Sequence, residues 1–166
     1  MDVKVSYLEM RERSQRSAPP PRDGLTIMQA LRPSIPYYRF LYHEVGGPWK
    51  WFRRKTWTDA ELAEVIHHPL NEVHVLYVDG SPAGFAELDR RNPQDVELVQ
   101  FGLMPEYFGQ GLGKYFLQRM IDYVWDTHPD RFWLHTCTRD HPLAIPNYEK
   151  AGFKFYKDEI KDLPEV

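Results

Sequence analysis

Three glycines in five residues, Gly109, Gly111 and Gly113, followed at once by Lys114, are the stretch whose residue types most directly imply chemistry. Glycine weakens helix and strand interiors, so such a cluster marks a tight turn or a place where a ligand must approach the backbone. After it, Leu112, Phe116, Leu117, Met120, Ile121 and Val124 recur at helical spacing, with Lys114, Gln118, Asp122 and Asp126 on the opposite side. Before it, Val96 to Met104 are β-branched and apolar, a strand that Pro105 closes. Strand, glycine loop and helix together leave free amides and the positive end of a helix dipole facing the loop, which is an anion site. Lys114 adds a full positive charge, and the combination suits a phosphate. It is not a P-loop, since Phe108 stands where the first glycine belongs and Tyr115 where the Mg²⁺-binding hydroxyl belongs. Nor is it a dinucleotide fingerprint, whose third glycine would fall on Lys114 or Phe116.

Titratable groups cluster around this loop. Glu97 lies on the incoming strand with the parity of Val99, Phe101 and Leu103, and Glu87 and Asp89 share a face of the preceding hairpin. A carboxylate there could take a proton from an amine, directly or through water, or lie at a strand end paired with Arg90 or Arg91. His135, Cys137 and His141 match none of the zinc spacings, so no metal is expected.

The elements that must position these groups can be read along the chain. Val3 to Met10 form a first strand, and the polar, proline-rich 11–24 a loop. Residues 36–46 and 58–68 read as helices, the second with Thr58 or Asp59 as N-cap and Pro69 past its end. Residues 72–88 form a hairpin turned by Asp79-Gly80, and 131–138 a further strand. The 166 residues suit one domain, here 1–166, burying roughly 70% of the unfolded surface. A net charge of −3 gives no basic footprint for nucleic acid, and one cysteine gives no disulfide framework and fits a reducing cytoplasm. No run of 18 apolar residues offers a membrane span, so a cytoplasmic location is expected.

Leu103, Pro105, Gly109, Gly111, Leu112 and Gly113 match, residue for residue, the cofactor-loop motif of the GNAT superfamily of N-acetyltransferases, which the sequence resembles. Ala144, Tyr148, Glu149, Lys150, Gly152 and Phe153 match the family's second block, in the right order and after a helix and a strand. Phe108 replaces the usual Arg or Gln, and His141 the usual Asn. The resemblance covers about residues 72–157 and implies an α/β fold with a mixed, mainly antiparallel sheet, splayed at a cofactor cleft and flanked by helices. It implies acetyl-CoA as cosubstrate, held by Phe101, Gly102, Leu103, Phe108, Gly109, Gln110, Gly111, Leu112, Gly113, Lys114 and His141. Backbone groups around Phe101 to Leu103 would pair with the pantetheine arm and polarise the thioester, and Tyr148 would be the acid that protonates the leaving thiolate. Glu97 or a water chain would be the base. The acceptor would be a primary amine of a small molecule or peptide, and a homodimer fits the family. The same cleft would also serve a non-catalytic acyl-CoA sensor. Phe108 and His141 leave that alternative open, and Tyr148 argues against it.

Trp49, Trp51, Phe52 and Trp57 crowd nine residues beside Arg53, Arg54 and Lys55, where the family places its acceptor side. The rings are expected to wall the acceptor pocket opposite Glu87 and Glu97, with the basic side chains turned to solvent or to the cofactor's 3′-phosphate. That arrangement favours an apolar or aromatic amine over a polyamine.

Overall fold

Asp79 and Gly80 both take positive φ, 49° and 85°, and this two-residue turn matches the right-handed twist of the strands it joins. Those strands belong to one seven-stranded sheet within a computed structural model that describes residues 1–164. In chain order the elements are β1 (Asp2–Met10), β2 (Leu25–Ala30), α1 (Ile35–Gly46), α2 (Asp59–Ile66), β3 (Asn71–Val78), β4 (Ser81–Asp89), β5 (Asp95–Leu103), α3 (Leu112–Trp125), β6 (Arg131–Cys137), α4 (Ala144–Ala151) and β7 (Lys154–Asp162). The sheet order is β2-β3-β4-β5-β6-β1-β7. Neighbours run antiparallel except β5 and β6, which are parallel. β2 and β7, two edge strands, were not anticipated from the sequence. Among the described residues no helix is long and apolar enough to cross a membrane.

α3 and α4 cover one face, where Phe116, Met120 and Val124 pack with Leu8, Leu98, Phe132 and Phe153. α1 and α2 cover part of the other, setting Tyr38, Leu41, Val45, Leu62 and Ile66 against Val73, Val75 and Phe85. Both of these helices start on side-chain caps. The Ser34 hydroxyl accepts from the Tyr37 amide, and Thr58 and Glu61 form a reciprocal capping box. Gly102 lets α1 approach β5, since a Cβ there would sit 2.7 Å from Val45 Cγ1.

Two irregularities shape the middle of the sheet. The β4–β5 register runs Glu87↔Gln100 and then Leu88↔Leu98, so Val99 is an extra, bulged residue. The bulge reverses the alternation. Phe101 and Leu103 pack on the α3 side with Leu98, and Glu97 faces the other way. The shared parity expected for Glu97, Phe101 and Leu103 is therefore corrected: strict alternation fails across a bulge. Second, β5 and β6 pair only at Asp95↔Arg131, Val96↔Phe132 and Glu97↔Trp133, and beyond that the strands diverge.

The stretch after α1 is pinned by charge. Arg54 Nη2 donates to Glu87 Oε2 at 2.6 Å, with both side chains buried, and Glu87 also accepts from the Tyr38 hydroxyl and from Asn71 Nδ2 at 3.4 Å. The Arg54 amide donates to the Tyr42 hydroxyl at 3.3 Å, fixing the 3-10 turn Arg53–Thr56 onto α1. Removing one partner of a buried pair strands the other charge. Arg54→Met should therefore lower unfolding free energy by about 3–5 kcal/mol, measured in urea, and adding Glu87→Gln should recover a large part of it. Equal losses in the single and double variants would show that charge is not what the pair balances.

Candidate active site

The divergence of β5 and β6 opens a cavity of about 930 Å³ between them. The glycine loop lies on its wall. Gly109 and Gly111 have φ of 76° and 73°, a left-handed backbone that favours glycine, and a Cβ on either would meet nothing of the protein. The space such a Cβ would occupy is thus open to a ligand. The first internal bond of α3 runs from the Tyr115 amide to the Gly111 carbonyl at 3.1 Å, so the amides ahead of it are free of the helix ladder. Gly111 brings no side chain to cap them, and Lys114 is exposed beside them on the cavity. A pyrophosphate fits this donor set.

Of the cofactor residues expected from the sequence, Phe101, Gly102, Leu103, Phe108, Gly109, Gly111, Gly113, Lys114 and His141 all line the cavity. Gln110 and Leu112 do not line it: the Gln110 Nε2 donates to the Glu106 carbonyl at 3.4 Å, and the Leu112 side chain is core. Gln118, expected on the polar face of α3, is buried on the cavity wall, and its Oε1 has no hydrogen-bond partner. Its companions on that face, Lys114, Asp122 and Asp126, are exposed or partly exposed, so the pattern of the helix alone gave no sign of its burial.

Phe108 and His141, the two departures from the family pattern, meet in space. Their rings lie 5.8 Å apart, and Trp49 joins them at 6.3 Å from Phe108 and 5.2 Å from His141. An aromatic trio is thus drawn from three separate loops, and the His141 ring within it stays polar, its Nδ1 accepting from the Leu143 amide at 3.0 Å. Close by, Trp51 Nε1 donates to Asp140 Oδ1 at 3.2 Å and bridges the 49–57 stretch to the β6–α4 loop.

Tyr148, on α4, lines the cavity and packs its ring edge-on to Phe101 at 6.3 Å and to Phe153 at 5.9 Å. Burial, and then the charge of Asp140, pushes its hydroxyl pKa up, so the phenol is protonated throughout the neutral range. Glu97 lies on the sheet face opposite to Phe101, and its carboxyl is pushed up to about 7, first by burial and then by Asp89 and Glu87. His135 Nε2 stands 3.6 Å from Glu97 Oε1, an electrostatic contact too long for a hydrogen bond. Burial lowers the His135 pKa, so near neutral pH the imidazole is uncharged. The sequence raises His135 only as a candidate metal ligand. Its place beside Glu97 comes from the three-residue parallel pairing that sets β5 against β6. Among the described residues no group of three His, Cys, Asp or Glu side chains could hold a metal.

Trp49, Trp51, Phe52 and Trp57 of the aromatic stretch all line the cavity, as does Glu97. Two parts of the expected arrangement are corrected. Glu87 is fully buried and does not face the ligand space. Arg54 points inward to it, because a carboxylate sealed under α1 needs a cation more than the surface does. Arg53 also lines the cavity, while Lys55 is exposed. Asp89 is gripped by Arg91, whose Nε and Nη2 lie 3.0 and 2.7 Å from its two oxygens.

Comparison with known proteins agrees with this geometry. The family model described as Acetyltransferase (GNAT) family matches residues 29–153. An uncharacterized N-acetyltransferase of Mycobacterium tuberculosis is 30% identical over 97 residues, 58% of this chain and 62% of that protein. The chain thus spans about three fifths of the curated relatives it matches. Among solved structures, the ribosomal-protein-S18-alanine N-acetyltransferase of Escherichia coli superposes with a TM-score of 0.62 at 22% identity, covering 78% of this chain and 77% of its own. A GNAT-family protein from Novosphingobium aromaticivorans superposes with a TM-score of 0.63 at 18% identity, covering 96% of this chain and 63% of its own. These likenesses carry the fold. The family match spans most of the sequence, and this chain belongs to the GNAT acetyltransferase family.

Proposed function

We propose that this chain is an acetyl-CoA-dependent N-acetyltransferase acting on a primary amine. The observation that carries the reading is the wedge between β5 and β6, with a glycine-lined helix end on its wall, a protonated phenol on one side and a carboxyl of raised pKa on the other. Acetyl-CoA, when bound, supplies an acyl thioester. The amides from Gly109 to Lys114, with Lys114 itself, would hold its pyrophosphate, and the backbone of Phe101 to Leu103 would orient the thioester carbonyl. Glu97, with His135 beside it, accepts the proton that the attacking amine must lose. Tyr148 gives its proton to the departing sulfur and is restored from solvent.

Acetyl-CoA should raise the melting temperature of the intact protein, by about 2.7 kcal/mol of added stability at a hundredfold excess over Kd. Gly111→Val should weaken that binding, since the added methyls occupy ligand space. Calorimetry showing no heat, with melting unmoved by millimolar acetyl-CoA, would sink the cofactor assignment.

Tyr148→Phe removes one hydroxyl and leaves the ring's packing, so it should lower turnover by about 10²–10⁴-fold with cofactor affinity nearly intact. Full activity, read as free thiol release, would move the acid role to water.

Glu97 makes two linked predictions. As a base it must be ionised, so kcat/KM should rise with pH through about 7, and Glu97→Gln should abolish that limb and most of the rate. For folding the sign is opposite. A carboxyl raised from 4.5 to about 7 contributes no penalty below 4.5 and costs stability as pH rises through 7. Glu97→Gln should therefore be more stable than the parent at pH 8, by on the order of 1–3 kcal/mol, with the gain gone near pH 4.5. A variant less stable at pH 8 would show that the carboxylate is favourably partnered.

A further inference from the structure

The charges around the acceptor end do not suit a bare cationic amine. Glu87 is sealed under α1 and neutralised by Arg54, and Asp89 is held by both ends of the Arg91 guanidinium. Asp140 accepts from Trp51 Nε1, from the Cys137 amide at 3.0 Å and from the Thr136 hydroxyl. Glu97 is left, and its carboxyl carries charge only part of the time at neutral pH.

The cations have the opposite balance. Arg53 lines the cavity, and its side chain makes no ion pair among the described residues. Arg53 shares that cavity with Glu97 and His135, and its positive charge favours the ionised carboxyl and the neutral imidazole. Arg53 also begins the 3-10 turn that Arg54 and Tyr42 pin to the sheet and α1, so its backbone is held in place. On the same turn, Arg54 spends only half of its fork. Nη2 serves Glu87, whereas Nη1 is buried with no hydrogen-bond partner, in a side chain only 7% exposed on the cavity wall. A buried donor without an acceptor costs about 1–3 kcal/mol, which an arriving anion would offset.

We propose that the acceptor is a small zwitterion, an apolar α-amino acid whose carboxylate is received by the Arg53–Arg54 turn while its amine faces Glu97. The inference rests on the transferase reading and names the substrate class for the same site. Trp51, Phe52 and Trp57 line the cavity around this turn, with the Arg54 guanidinium 4.5 Å over the Trp57 ring, and they suit an apolar or aromatic side chain.

The test uses the intact protein with acetyl-CoA and free thiol as the readout. The acceptors are phenylalanine and leucine, their carboxamides, phenethylamine, and a short peptide with N-terminal phenylalanine. The free amino acids should exceed their amides in kcat/KM by about 10–100-fold, the worth of charge-assisted hydrogen bonds to a carboxylate. Arg53→Gln should narrow that ratio at least several-fold, and Arg53→Glu should reverse it, with acetyl-CoA binding retained as the control for folding. Amides, phenethylamine or the peptide acetylated as well as the free acids, or a ratio indifferent to Arg53, would overturn the substrate class and leave the transferase standing. Thiol release from none of the acceptors despite acetyl-CoA binding would overturn both.

Discussion

The site depends on one failure of pairing. β5 and β6 hold each other for three residues and then part. Parallel neighbours in mid-sheet ordinarily satisfy each other's backbone along their length. Here the amides and carbonyls on the facing edges beyond Glu97 and Trp133 are left to water or to a ligand. An extended, amide-rich molecule can complete such an edge as a strand would, which is why the gap reads as a site and not as a flaw. The sheet tolerates it because each half is anchored separately, β5 by β4 up to Gly84↔Leu103 and β6 by β1 up to Val5↔Cys137.

The bulge at Val99 is the second half of the same device. Without it, Glu97 would share a face with Phe101 and would be drawn under α3, into an apolar core where a carboxyl has no partner. With it, Phe101 stays in the core against Phe116, at 5.3 Å, and Glu97 faces the open side near Asp89 and His135. Its raised pKa follows from that placement: burial comes first, then Asp89 and Glu87, and together they outweigh the opposing charges of Arg53 and Arg54.

What could be read without coordinates were the features set by local backbone chemistry. The glycine loop, the Asp79-Gly80 turn and the Thr58 cap depend on a few adjacent residues, and all are found in place. What could not be read depends on distant partners. β7 is almost wholly exposed, and its alternating charges resemble a solvated loop until β1 supplies its ladder. The Val99 bulge arises from register against β4, which leaves no mark in composition. Arg54 turned inward because Glu87, 33 residues away, lies buried beneath it, and no rule of local polarity anticipates that exchange. Most of the residues that the resemblance assigns to the cofactor come from contiguous motifs and line the cavity together, whereas the aromatic trio is drawn from three separate loops.

Those loops are mechanically joined, and this bears on the two departures from the family pattern. Phe108 puts an apolar ring where the family pattern has a polar side chain, and His141 an imidazole where it has an amide. With Trp49 they form a contact that links the glycine loop, the β6–α4 loop and the 49–57 stretch. Trp51 and Asp140 make a second link between the last two. The trio packs the glycine loop and the β6–α4 loop against the segment that carries Arg53 and Arg54. In this chain, the substitutions that make the glycine motif atypical are also the ones that tie it to the 49–57 stretch.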